Sequence, residues 1–507
     1  MKFKILTTFL ILVLFSNFCI AKESLRELFQ NGHANICSIN IRNFNAKDLN
    51  HDEIIDANEV SGNFLNAIDR LDEIKNLHIN TLHLLPITPT GKLKALGTAG
   101  SLYAISDFSS INPQLIDLTS TITAKEQAKL FIEECHKRGI FVIIDLPSCG
   151  AYDLFLDHPE YFVKNKKSVS IVPADWTDVR LFNTGKDDNL NEDLIQAHKN
   201  FIDMIISLGA DGIRADVATI KPAKFWKELI NYSREKNPNF MYLAEASDSW
   251  REPPSKFAVF TPYNKLLEVG FDGYYGSFFN LKNWKTSEEF FNHVKFNKKL
   301  LNSYPEAKNV ILSFTTHDEI SPVVQRDERF SIMICWLEAT LPFNPYFVDG
   351  FQSGDKYLYQ WANSKAKHSE TDDDSYFVHH GKLDIFNFSR KPEGNIEIIK
   401  YNFQKAFDFR AQNIDLVTKG LFTQLKCNND KIIAYSRFYK DNLVIVLANL
   451  DFENSQKNVC IKLNGIKKNS LFENVTGSSY NKIRKNKIIS DFSAGEIKVL
   501  KIDKNLL

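Results

Sequence analysis

Short apolar runs recur along the chain at regular intervals, separated by segments with helical periodicity. "NICSINIRNF", "TLHLLPI", "GIFVIIDLP", "DGIRADV", "FMYLAEA" and "NVILSFT" each read as a short apolar strand. Between them, Thr123 and Glu126 form a Thr-x-x-Glu capping box. Ala128, Phe131, Ile132 and Cys135 follow it at helical spacing, and Gly139 closes that helix. Leu194, Ala197, Phe201, Ile205 and Leu208 repeat the pattern up to Gly209. Repeated βα units predict a parallel sheet, and so many in one run favour a closed (β/α)8 barrel. A doubly wound sheet is the alternative, but no Gly-rich phosphate loop follows the first strand. The barrel is expected over residues 22–413. From 414 to 507 the texture changes: "KIIAYSRFY", "NLVIVLANL" and "NVCIKLNG" alternate or run apolar between polar turns. That predicts a C-terminal antiparallel β-sandwich. The polar stretch 361–384 is expected to be a long surface loop.

Composition narrows the class without altering this picture. The length of 507 residues suits a large barrel with an appended domain. A hydrophobic content of 44% with 24% charged residues reads as globular and soluble. Basic and acidic residues balance at 62 each, which excludes an electrostatic footprint for nucleic acid or an anionic membrane. Lys2 and Lys4 precede an apolar run from Ile5 to Phe15, with small Cys19 and Ala21 before a cut after Ala21. This is the pattern of a cleavable signal peptide over 1–21, so the mature chain is expected to be exported, periplasmic or extracellular, without stable membrane insertion. The six remaining cysteines are scattered with no CxxC, which argues against zinc and for buried free thiols. The pattern leaves the oligomeric state open.

Three carboxylates follow strand-like runs: Asp216 after "GIRA", Glu245 after "MYLA" and Asp318 after "LSFTTH". In a (β/α)8 barrel such positions lie at the catalytic end, and the spacing assigns them to strands four, five and seven. Converging carboxylates suit glycoside hydrolysis, in which one attacks the anomeric carbon and a protonated one gives a proton to the leaving oxygen. Crowded like charges raise the pKa of at least one. Arg214, two residues before Asp216 and on the same strand face, would keep that carboxylate ionised.

With these motifs in this order the chain resembles the α-amylase family, glycoside hydrolase family 13, from about residue 36 to the C-terminus. The resemblance implies Asp216 as nucleophile with Arg214 as its partner, Glu245 as acid/base, and Asp318 as transition-state stabiliser. His317 would bind the subsite −1 sugar, "VIIDLP" would supply the structural Asp145, and Tyr103 in "GSLYAISDFSSINP" would stack on the same sugar. It also implies a short insertion after strand three, 147–190. The expected activity is retaining cleavage of α-glucosidic bonds in starch-like α-glucans or maltooligosaccharides. The alternatives are an α-glucosidase, a transglycosylase, or a weak or inactive member serving as a sugar-binding or partner subunit. Two departures stand out. "DLPSCGAYD" puts Ser148 and Cys149 roughly where the family has an Asn and a His, and Thr316 replaces a common Asn. Cys149 is therefore expected to face the −1 sugar as a poor donor.

A second constellation lies in "DLNHDEIIDANE". Asp48, Asn50, Asp52, the Ile54 carbonyl, Asp56 and Glu59 have the oxygen-ligand spacing of a calcium loop, although Glu53 stands where Gly is usual. A structural Ca2+ is expected there.

Overall fold

Eight short parallel strands carry the apolar runs in a computed structural model that describes residues 23–50, 55–97, 99–173, 176–356, 391–463, 472–477, 483–484 and 486–502. They are β1 (Ile36–Ile39), β2 (Thr81–Leu84), β3 (Phe141–Leu146), β4 (Gly212–Ala215), β5 (Met241–Ala244), β6 (Gly273–Tyr275), β7 (Asn309–Ile311) and β8 (Tyr346–Val348). Each pairs in parallel with the next from β1 to β7, and β8 pairs with β1. A parallel bridge between Ile311 and Asn344 joins β7 to the start of β8, so the sheet closes into a (β/α)8 barrel. Strands buried on both faces carry continuous apolar runs, and "FVIIDL" of β3 is the clearest case.

Local signals set the helix ends. Ala124–Lys137 starts at the Thr123 capping box, and Glu192–Leu208 stops at Gly209, whose φ of 96° a side chain would resist. The run "NICSINIRNF" is less strand than its apolarity predicts. β1 ends at Ile39, and the Asn40 side chain accepts from Arg42 N–H to start a helical turn, Ile41–Phe44.

The bottom of the barrel is plugged by the helix Leu25–Gln30. Leu25 and Phe29 pack with Ile36, Ile143, Met241, Leu243 and Ile311 inside the barrel. Gly273 is required there, because a Cβ would sit 2.5 Å from the Phe29 ring. Burying each such large apolar side chain contributes about 1.5–3 kcal/mol.

After β3 the chain forms a small excursion. Cys149–Gly150 pairs with Arg180–Leu181, and Gly185–Lys186 with Asn189–Leu190. The last barrel helix is Glu397–Gln412. Beyond it, two antiparallel sheets form a sandwich, one of five strands and one of four. Ile432, Ile445 and Leu447 of the first meet Val459, Ile461 and Ile488 of the second. The outer face of the five-stranded sheet packs on the barrel through Tyr435, Val444 and Val446, and the Tyr435 and Thr340 hydroxyls meet at 2.6 Å.

The six cysteines from Cys37 to Cys460 are free; four are buried, while Cys427 and Cys460 are partly exposed. Among the described residues no helix is long and apolar enough to cross a membrane. The expected leader 1–21 and the loop 361–384 lie outside the described residues.

Candidate active site

Asp145 on β3 and Arg214 on β4 are register partners, and both are fully buried at the C-terminal end of the barrel. One guanidinium nitrogen of Arg214 donates to both oxygens of Asp145, at 2.8 and 2.9 Å, and lies 3.0 Å from Asp216 Oδ1. The other terminal nitrogen is 2.9 Å from Glu245 Oε2. Arg214 Nε donates to the Tyr275 hydroxyl at 3.1 Å. A single buried cation thus faces three carboxylates. The desolvation cost of burying it is large, and this set of contacts is what offsets that cost.

The environment separates the carboxyls. Burial works to raise the Asp145 pKa, but the Arg214 charge and the His83 hydrogen bond outweigh it and hold the group at about 2. Burial dominates at Glu245: despite Arg214, desolvation with the Asp216 and Asp318 charges pushes it well above the usual carboxylate range. Asp318 is pushed up to about 7, again by burial first and then by Asp216 and Asp145, against the pull of Arg214. The site therefore holds one firmly ionised carboxylate and at least one carboxylic acid at neutral pH.

Backbone geometry fixes the acid. Val217, immediately after Asp216, takes φ 33° and ψ 55°, a left-handed conformation that is strained for a β-branched residue. This turn aims its N–H at Glu245 Oε2, 2.7 Å away.

Tyr103 and His317 form one wall. Their rings stack with centroids 5.8 Å apart. The Tyr103 hydroxyl donates to Asp145 Oδ2 at 2.7 Å and lies 2.8 Å from His317 Nε2. Because that hydroxyl has one proton, His317 must donate from Nε2, which leaves Nδ1 as an acceptor. Burial and the Arg214 charge depress the His317 pKa well below its usual value, in keeping with a neutral ring. His317 Nε2 is also 3.5 Å from Asp318 Oδ1.

No family model matches the chain. Several known proteins do. An α-1,4-glucan:maltose-1-phosphate maltosyltransferase of Picrophilus torridus is 24% identical over 412 residues, 78% of this chain and 60% of that protein. The α-amylase MalA of Haloarcula japonica is 22% identical over 307 residues, 57% of this chain and 41% of that protein. Among solved structures, a noncanonic maltogenic α-amylase, AmyB, from Thermotoga neapolitana superposes with a TM-score of 0.68 at 20% identity, covering 93% of this chain and 98% of that one. An α-amylase from Lactobacillus plantarum gives 0.68 and 20%, covering 93% and 99%. The sequence relatives, the shared barrel and the motifs at the ends of β3, β4, β5 and β7 agree. The chain is similar to α-amylase family proteins in these motifs, in sequence and in fold. It spans 60%, 38% and 54% of the length of three maltosyltransferases it matches.

Against the α-amylase pattern, the structure corrects one expectation. Cys149 does not present its thiol as a sugar donor. It is 3% exposed and packs with Ala104, Ala151, Val179, Leu181 and Ile220. Burial in this cluster pushes its pKa up to about 12. Pairing of Cys149 with Leu181 turns the side chain into the excursion, and Ser148 reaches the site instead. Ser148 donates to Asp216 Oδ2 from both N–H, at 2.9 Å, and Oγ, at 2.6 Å.

Other residues beneath the site escaped the α-amylase motifs. His83 on β2 lies 3.3 Å from Asp145 Oδ2 through Nε2 and 2.9 Å from the Tyr346 hydroxyl through Nδ1. Tyr275 and Tyr346 come from β6 and β8. The fully buried Lys221 donates to the Ser148 carbonyl at 3.3 Å. Thr316 acts locally, its hydroxyl accepting from the Asp318 N–H at 3.2 Å.

The acidic loop lies after β1, on a different part of the chain from these groups. Asp52 and Ile54 fall outside the described residues. Both oxygens of Glu59 are engaged by backbone: Oε1 accepts from Leu49 and Asn50 N–H, and Oε2 from Asp56 N–H. Asn50 Nδ2 donates to Asp56 Oδ2 at 3.1 Å. Glu59 therefore staples the loop, and among the described residues no three metal-ligating side chains converge.

Proposed function

We propose that the chain cleaves α-glucosidic bonds of starch-like α-glucans or maltooligosaccharides with retention of anomeric configuration. The observation that carries this reading is the single guanidinium of Arg214 facing Asp145, Asp216 and Glu245 while burial keeps Glu245 protonated. Arg214 and Ser148 orient Asp216 and stabilise its negative charge. Asp216 then attacks the anomeric carbon as Glu245 passes its proton to the departing glycosidic oxygen. The Glu245 carboxylate so formed is stabilised by Arg214 and by the Val217 N–H. It takes a proton from the water that releases the sugar, and both groups return to their starting states. Tyr103, His317 and Asp318 line the same end of the barrel and supply the sugar-binding wall. Reducing-sugar release from soluble starch, maltotriose and sucrose tests the activity. Asp216→Asn should lower it by more than a hundredfold in a folded protein, since losing a nucleophile costs several decades. Residual activity above about a hundredth of wild type would count against the assignment.

A second reading, maltosyl transfer, is favoured by the names of several matched relatives. The same glycosyl-enzyme would be intercepted by a glucan hydroxyl instead of water. Phosphate release from maltose 1-phosphate in the presence of glucan distinguishes it from hydrolysis. Two further proposals rest on sequence pattern alone. Export with removal of residues 1–21 is tested by N-terminal sequencing of the secreted product. Calcium binding at Asp48, Asn50, Asp52 and Asp56 is tested by thermal melts.

A further inference from the structure

Lys221 stands in the turn after Asp216, before the helix Ala223–Lys236, with no exposed surface. Among the described residues its ammonium makes a single hydrogen bond, to the Ser148 carbonyl at 3.3 Å, and no carboxylate forms an ion pair with it. Its other neighbours are the rings of Trp226 and Phe182, at 5.5 and 6.0 Å. The surrounding turn is itself tied down. Thr261 donates from Oγ1 to the Lys221 carbonyl and from N–H to Thr219, and Trp226 Nε1 donates to the Ala218 carbonyl. Burying an ammonium in an aromatic box costs several kcal/mol, and an apolar residue of that length would fill the space at less cost. The ammonium must therefore serve something its carbon chain cannot.

The one acceptor it reaches belongs to the residue that holds the nucleophile. We propose that Lys221 is a positioning residue for Asp216: its ammonium fixes the Ser148 peptide, whose N–H and hydroxyl both grip Asp216 Oδ2. The chain of contacts runs from Lys221 Nζ to the Ser148 carbonyl, then from Ser148 N and Oγ to the carboxylate. Two donors converging on one oxygen set the rotation of the Asp216 carboxylate, and Arg214 at 3.0 Å from Oδ1 sets its other end. Losing the ammonium frees the Ser148 peptide to rotate, and small misplacements of a nucleophile are costly in rate. The ionisable groups that feel Lys221 are Asp216, Cys149 and His198; His198 has its Nδ1 bonded to the Leu194 carbonyl and its charged form disfavoured by burial. Burial brings Lys221 down to about 8, against the pull of Cys149 and Asp216, so it is mostly charged at neutral pH.

This inference rests on the retaining-glycosidase reading above. The experiment compares wild type, Lys221→Met, Ser148→Ala and the double variant on maltotriose, with kcat, KM and melting temperature for each. Positioning through Ser148 lowers kcat in Lys221→Met by tenfold or more, with KM within threefold and the melting temperature unchanged or raised. The double variant then falls short of the product of the two single losses. A folded Lys221→Met with kcat within twofold of wild type overturns the proposal, as do multiplicative losses in the double variant. If Lys221→Met does not fold, Lys221→Leu, which likewise lacks a donor, replaces it. A drop in kcat at unchanged melting temperature supports the relay, and wild-type kcat overturns it. Inactive wild type would instead refute the glycosidase reading.

Discussion

Replacing Glu245 with Gln isolates the proton-transfer step. Both polar contacts of Glu245 fall on the same oxygen, Oε2: the Val217 N–H at 2.7 Å and the Arg214 guanidinium at 2.9 Å. A glutamine can place its carbonyl there and its amide group where Oε1 stood, so the fold keeps every contact. The sign of the stability change follows from the raised pKa. A carboxyl whose folded pKa lies above its ordinary 4.5 contributes stability below that pH and loses it as pH rises through the folded value. The neutral amide has no such loss, so the melting temperature of Glu245→Gln at pH 7 should equal or exceed that of wild type. The catalytic loss is that of a general acid, about 10²–10⁴ in rate, or about 2.7–5.4 kcal/mol at 1.36 kcal/mol per decade. The assay compares kcat/KM for maltotriose with that for 4-nitrophenyl α-maltoside. A nitrophenolate leaves without a proton, and kcat/KM reports the steps up to glycosyl-enzyme formation, before Glu245 acts as base. The maltotriose value should fall by the full factor and the aryl value by less than about tenfold. Equal losses on the two substrates would refute Glu245 as the acid.

Cys149→His should lower stability by about 1–3 kcal/mol through overpacking of its apolar cluster, with no gain in kcat/KM on maltooligosaccharides; urea unfolding and steady-state kinetics check both. Melts with calcium and with chelator test the acidic loop: a higher midpoint with calcium, abolished in Asp52→Asn, supports binding, and superimposable curves oppose it. The Asp318 pKa is raised from 3.8 to about 7, so its contribution to stability is full below pH 3.8 and lost as pH rises through 7. Wild type should therefore lose melting temperature between pH 4 and pH 7.5, and Asp318→Asn should flatten that decline.

The legible parts of the fold were those where burial writes a long signal. β3 is six residues of almost unbroken apolarity, and a capped amphipathic helix precedes it. β6 and β8, "GYY" and "YFV", are three residues each, too short for alternation or a long run to stand out. They are strands through their pairing with β5 and β7 and with β1, which is tertiary information. The same divide runs through the site. Asp216, Glu245 and Asp318 stand just past legible strands, so position alone singles them out. His83 sits inside "TLHLL", where a histidine resembles one more core residue. Lys221 begins "KPAKFWK", which has the look of a solvated helix start; only the fold shows that its first lysine is enclosed. Cys149 drew attention as the chemically unusual residue in its loop. A two-residue pairing with Arg180–Leu181 decided that its neighbour Ser148 would face the carboxylate.

Arg214 lies within 3.0 Å of three carboxylates and could, in principle, ionise all of them equally. Asp145 is held at about 2 while Glu245 is raised, and the difference lies in what else each receives. Asp145 takes both of its Arg214 hydrogen bonds from one nitrogen and adds donors from Tyr103 and, through Nε2, His83. Every donor but the arginine is neutral, so the charge of the cluster is spread without adding a second cation. Among the described residues Glu245 receives only the Val217 N–H besides its arginine contact, and it also feels Asp216 and Asp318. A second cation near Glu245 would ionise it and remove the acid. No second cation near Asp145 is needed, because its donors suffice. Burial together with the Asp216 and Asp318 charges therefore keeps the proton on Glu245, while Arg214 and the His83 hydrogen bond outweigh burial at Asp145.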